Sequence, residues 1–205
     1  MQIKIKDNIK EFSKGLNKFQ KKQMPFATAQ AINNTLFGLR KEMAKQTVKK
    51  LDRPVPFTQR GFEVNKANKR NQIGFLIIKP EVAKYLKYQI DGGIRTSTNK
   101  IPVPITKNMR LNKFGNIAGK RGKVKGGLQG LATGKNQYIA TIGGATGVWK
   151  KGRKGQQPTL LIKFHDTVNY NKKPFDFYRI GKMYSKNTFN KQLDKALRKA
   201  LKTAR

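Results

Sequence analysis

Cysteine is absent from this 205-residue chain, so neither a disulfide framework nor a thiolate zinc site can be built from it. Acidic residues are scarce: 10 Asp and Glu stand against 46 Lys and Arg, a formal net charge of +36. A compact chain so unbalanced repels itself unless counterions or an acidic partner lie close by. Nucleic acid is the first partner to consider, an acidic protein surface the second, an anionic membrane the third. Long apolar runs are missing too, and nothing approaches the roughly 20 residues a spanning helix requires. The membrane reading weakens accordingly. The opening residues, MQIKIKDNIKEF, carry neither the apolar stretch nor the small-residue cleavage site of a secretory signal. The expectation is a protein made inside a cell, including one built into something that later leaves it.

Histidine occurs once, at His165, and serine three times, at Ser13, Ser97 and Ser185. A Ser–His–Asp set drawn from His165 and its neighbour Asp166 fails on geometry, because adjacent strand residues point to opposite faces. No nucleophile elbow is present either. The carboxylates are scattered along the chain with no motif that pairs them for acid–base work, and surface or capping roles account for them. One His and sparse carboxylates amid excess positive charge make no metal site. Gly134-Lys135 comes near a phosphate loop. However, Asn136 stands where Ser or Thr would hold magnesium, and Gln129 stands where the loop's first Gly belongs. No catalytic residue, metal or cofactor is expected, and no enzyme.

What is present suffices for a core: 37% of the chain is hydrophobic and 9% aromatic, which excludes a wholly disordered protein. Gln2, Ile3, Lys4 and Ile5 alternate, predicting a short edge strand. Asp7 is placed to cap a helix carrying Ile9, Phe12, Leu16 and Phe19, and Pro25 breaks or restarts it, so 1–24 reads as a lead-in. Ala29, Ile32, Leu36, Leu39 and Met43, continued by Ala44, Val48 and Leu51, form one stripe. They predict a long amphipathic helix over about 26–51. The stretch LDRPVPFTQRGF then stops it. Pro54 disfavours a helical Arg53, Pro56 does the same for Val55, and with Asp52 and Phe57 they make a stiff, extended structural corner.

Beyond the corner, GFEVNKA and QIGFLIIKP alternate, with Phe62 and Val64 in one run and Ile73, Phe75 and Ile77 in the other, predicting a β-hairpin. PEVAKYLKYQIDGG predicts a short helix ended by Gly92-Gly93. Then the character changes. Residues 92–165 contain no Asp or Glu, and twelve of the 19 glycines fall between 115 and 155. Positions 94–135 read as an extended basic loop or arm, flexible alone and ordered by a partner. NQYIATI and TLLIKFHD resume strand character, with GGATGVWKKGRKG as their connection. At the C-terminus Phe189, Leu193, Ala196, Leu197, Ala200, Leu201 and Ala204 fall on one helical face. The expected fold is a single α+β domain over 1–205: an antiparallel sheet packed with a long N-terminal helix and a C-terminal amphipathic helix, plus the basic Gly-rich excursion.

Basic segments are the candidate contact residues. Lys120, Arg121, Lys123 and Lys125 in one, and Lys150, Lys151, Arg153 and Lys154 in the other, place cations on glycine-rich backbone that can follow a phosphate chain without reading its sequence. Trp149 has two roles open, stacking on a base or anchoring its loop to the core, and the second is the reading kept.

Taken in order, AINNT, LDRPVPFTQRGFEV, KPEVAKYL, DGGIR, NKFGNI, TGVWKK, LLIKF, PFDFYRIG and ALRKALKTAR resemble phage and prophage minor tail or tail-completion proteins of the protein Z type, over roughly 29–205. That resemblance implies a non-enzymatic virion component at the tail or head–tail junction. It implies a homo-oligomeric ring, other tail, neck or portal proteins as partners, possible contact with packaged DNA, and manufacture in the host cytoplasm. The runner-up expectation is a sequence-nonspecific nucleic-acid-binding protein, resting on charge alone.

Overall fold

A computed structural model describes residues 2–5, 18–117, 128–132 and 134–203. Helices and antiparallel sheets make it an α+β protein with a long N-terminal helix and a C-terminal helix. Where the sequence suggests one domain, the chain divides into two compact units: Met1–Asp91 with Lys173–Arg205, and Gly92–Lys172. The first boundary falls at Gly92-Gly93. Both glycines have positive φ, 74° and 99°, so they end a helix and start a new sheet with its own core.

In the first unit, strand β1 (Gln2–Ile5) is followed by helix α1 (Lys18–Lys50). Pro25 does not break α1 as expected; it lies inside. Proline already holds a helical φ, and the neighbouring Met24, Ala27, Thr28 and Ala29 are all buried, so packing carries the helix past one missing backbone hydrogen bond. The stripe Ala29, Ile32, Leu36, Leu39 and Met43 is buried as the period requires. Val48, expected to continue it, is exposed, and Thr47 is buried instead. The Thr47 hydroxyl donates to the Met43 carbonyl at 2.8 Å, which satisfies it inside the core. The expected cap at Asp7 and the helix carrying Ile9, Phe12 and Leu16 lie outside the described residues.

Helix α2 (Pro56–Gln59) is a single turn, followed by strands β2 (Phe62–Asn65) and β3 (Gly74–Ile78) and helix α3 (Pro80–Ile90). The three strands form an antiparallel sheet in the order β1-β3-β2. The hairpin forms, but its second strand turns the other face inward: Gly74, Leu76 and Ile78 are buried, while Phe75 and Ile77 are only half-buried. Gly74 decides this, since a side chain there would meet Leu36 and Ile32 of α1; helix and strand close on the glycine. Asn33 locks the hairpin loop to α1, donating to the Ala67 carbonyl at 2.9 Å and accepting from the Ala67 N–H at 2.8 Å. Phe62 packs between Phe175 and Phe177, with ring centroids 6.1 and 6.3 Å away.

The C-terminal helix α4 (Phe177–Thr203) lies along α1. Their seam is made of small residues, Ala27 and Ala31 against Ala196 and Ala200, all buried. Spacing of four on both helices puts each pair on one face, and the absent bulk lets the backbones approach. Leu201, expected on the buried face, is 62% exposed.

The second unit holds a four-stranded antiparallel sheet in the order β4-β7-β6-β5: β4 (Gly93–Pro104), β5 (Gln137–Ile142), β6 (Ala145–Lys150) and β7 (Thr159–Tyr170). Two expectations change here. The start of the supposed arm is strand β4, paired with β7 from Gly93 opposite Tyr170 to Pro104 opposite Ile162. Backbone pairing holds a segment whose side chains are too polar to advertise a strand. GGATGVW is likewise not a connection: Gly143 and Gly144, with φ of 55° and 74°, form a two-residue hairpin turn and Ala145 begins β6. Further along, Met109, Ile117, Leu128 and Leu131 cover a core of Val148, Leu161, Ile162 and Phe164. The middle of the arm, 118–127, lies outside the described residues.

Candidate functional site

The β5–β6 hairpin positions the basic residues. Its turn fixes the register, so Gln137 stands opposite Lys150 at the root, and the Lys151 N–H continues the pairing with the Asn136 carbonyl at 2.9 Å. Arg153 and Lys154 follow in a turn closed by the Gln156 N–H on the Arg153 carbonyl, 2.8 Å, with Gly155 at a φ of 81°. Lys150, Lys151, Arg153 and Lys154 are all exposed, and Lys135 adjoins them one residue before Asn136. No ion pair holds any of the five among the described residues. The second unit's only acid, Asp166, pairs with Lys100. Lys135 was not among the expected contacts, yet counting outward from Gly143-Gly144 brings it to the same end of the hairpin. Lys120, Arg121, Lys123 and Lys125 lie outside the described residues.

Trp149 anchors rather than projects. It is 9% exposed, and its indole N–H donates to the Ala140 carbonyl across the hairpin at 3.0 Å. That geometry leaves no free face for a base.

The structural corner is pinned, but not extended throughout. Arg53 takes a positive φ of 44°, outside both the right-handed helical region that Pro54 disfavours and the extended one expected of it. Its guanidinium grips Asp52 through two 3.0 Å hydrogen bonds, which hold the Asp52 carboxyl below its ordinary pKa. Val55 is extended, and Pro56 then starts α2, a position that suits proline. The Gln59 amide donates to the Pro54 carbonyl at 3.0 Å, and buried Thr58 shares a 2.8 Å hydrogen bond with the Tyr85 hydroxyl of α3. Phe57 points outward, 56% exposed.

Two carboxylates of the first unit, Glu42 and Asp176, are held in local contacts. A cleft of about 610 Å³ between α1 and α4 contains the carboxylates Glu42 and Asp176 beside Lys49, Lys50, Lys173 and Arg179. Glu42 accepts from Gln46 at 2.7 Å. Asp176 caps α4: it accepts the Arg179 N–H at 3.0 Å and the Arg179 guanidinium at 2.9 Å. The backbone bond first, then the guanidinium, hold its carboxyl below the usual range. The cap is readable in the sequence as an Asp directly before the aromatic start of a helix. His165 stands opposite Ile101 in the β4–β7 pairing. Among the described residues no group of three or more His, Asp or Glu could hold a metal ion, and no helix is long and apolar enough to cross a membrane.

The chain matches no family model, no curated protein and no solved structure.

Proposed function

We propose that this chain is a non-enzymatic structural subunit of a bacteriophage particle, placed at the tail or the head–tail junction and assembled there as a symmetric ring. The observation that carries the reading is the second unit's surface: exposed Lys135, Lys150, Lys151, Arg153 and Lys154 on a rigid hairpin root, with no acid of their own unit left to neutralise them. Such a surface fits a docking element whose counter-charge comes from outside. The ordered resemblance in 29–205 to tail-completion proteins supports the placement. A ring would set copies of this root around one channel, facing packaged DNA or the acidic surface of a neighbouring tail, neck or portal ring. A subunit under load also gains from the pinned corner at 52–59, which fixes α1 relative to β2.

Imaging intact particles from the source at side-chain resolution tests the reading. The expected result is density for this chain as a symmetric ring at the tail or neck. Its absence from particles, with the protein recovered on nucleic acid in lysate, would overturn the proposal in favour of a sequence-nonspecific nucleic-acid binder. The same five cations would serve that second reading.

A further inference from the structure

Native sheets blunt their edges with short strands, charges, prolines or bulges, because an open edge recruits other chains. Three of the four edge strands described here are blunted. β1 and β2 span four residues each and carry Lys4 and Glu63. β4 carries Arg95, Lys100, Pro102 and Pro104, and its register with β7 shifts between Thr96 and Ile101. β5 is the exception. Its sequence, QYIATI, has no charge and no proline, and it runs against β6 without a bulge.

Among the described residues β5 pairs on one side only. The two-residue turn makes Ile142 and Ala145 a hydrogen-bonded pair, and the antiparallel alternation then turns the backbone groups of Ile139 and Thr141 away from β6. Thr141 is exposed and Tyr138 is 37% exposed along this edge. At the N-terminal end of the same strand stand Lys135, Lys150, Lys151, Arg153 and Lys154.

We propose that the β5 edge is a strand-addition site. It takes an extended segment of a neighbouring protein, running antiparallel to β5 and carrying acidic residues at its C-terminal end. The open N–H and C=O groups of Ile139 and Thr141 require a ligand that both accepts and donates at the right intervals. A peptide backbone does this. A phosphate chain accepts only, and would leave both carbonyls unmet. A second copy of this chain would bring another +36 to a cluster that already lacks acids. Antiparallel pairing puts the ligand's C-terminus beside the five cations, so its acids belong there. The inference rests on the reading of the chain as a docking subunit, but its test needs no particle. If the peptide binds while particles lack the protein, only the placement falls.

The test uses the full chain and a fluorescent peptide, Thr-Val-Thr-Val-Thr-Val-Glu-Glu-Glu, with residue-resolved hydrogen exchange. The expected result is saturable binding that slows exchange of the Ile139 and Thr141 amides. Methylating alternate peptide nitrogens, which keeps the side chains but removes edge hydrogen bonds, should weaken binding at least about tenfold. Lys150→Glu with Lys151→Glu should do likewise while protection in β6 and β7 persists. Four results would overturn the proposal: no saturable binding by ~1 mM; equal binding of the methylated peptide; stronger protection of those two amides by a DNA duplex; or their protection by self-association without peptide.

Discussion

A methyl group at residue 147 has nowhere to go, because the carbonyl of Ile162 in β7 fills the space and the Leu160 side chain closes the rest. Gly147→Ala must therefore push β6 from β7 or twist one of them. The expected loss is about 1–3 kcal/mol, the usual cost of overpacking, read from chemical denaturation. An unchanged midpoint would mean that the two strands are less closely apposed. Asp176 offers a test of opposite character, since it acts through charge and capping. Asp176→Ala should cost about 1 kcal/mol at neutral pH. Its carboxyl is held below the ordinary range, so its contribution is fully present above the unfolded aspartate pKa, about 3.9, and is lost as the pH falls through the lower native value. The gap between wild type and Asp176→Ala in urea should shrink on acidification, and a gap independent of pH would contradict the cap. Of these two residues only Asp176 is legible in the sequence. Nothing local distinguishes Gly147 from the other glycines, because its constraint comes from a strand that begins twelve residues later.

Elements with one strong period were readable, and those whose two faces resemble each other were not. The α1 stripe from Ala29 to Met43 announces its buried face because Lys41 and Lys45 leave no alternative. In β3 both alternations are apolar, Phe75 and Ile77 on one side and Leu76 and Ile78 on the other. The choice lies in Gly74, whose meaning appears only when Ile32 and Leu36 are packed on it. β4 was hidden for a different reason: Thr96, Ser97, Thr98 and Asn99 give no hydrophobic pattern, and its stability comes from pairing with β7. The corner after α1 was legible as rigid but not in shape, since proline fixes its own φ and limits its predecessor without dictating a left-handed Arg53. Its rigidity is testable apart from any particle. Pro54→Gly with Pro56→Gly should lower stability by about 1–2 kcal/mol, at up to about 1 kcal/mol for each proline's restriction of the unfolded chain. If the corner matters for assembly, the double variant should also reduce particle yield beyond what its fold stability explains. Unaltered yield and particle stability would remove that role and leave a local connector.

For the molecule as a whole, the charge is less unevenly spread than the acid-free segment suggests. The second unit has 16 Lys and Arg against one Asp, and the rest of the chain has 30 against nine acids. Basic charge is everywhere; what differs is the supply of partners. Among the described residues the first unit forms the pairs Arg53–Asp52, Arg179–Asp176 and Arg198–Asp194, while the second forms Lys100–Asp166 alone. All are exposed and contribute little to stability, but each removes a cation from the pool available to an outside ligand. The second unit should therefore supply a disproportionate share of any binding to polyanions. Affinity for a duplex falls with salt at a log–log slope of about −0.9 for each phosphate neutralised. If the hairpin root meets phosphate, replacing Lys150, Lys151, Arg153 and Lys154 by Gln should make that slope shallower by about 3–4. Replacing four exposed first-unit lysines, such as Lys41, Lys45, Lys84 and Lys191, should change it by less. Equal changes would make the protein a uniformly basic polycation, and the hairpin root would lose its standing as the favoured site for nucleic acid. A slope that neither set alters would take DNA off this surface altogether and leave the acidic face of a neighbouring protein as the partner its cations await.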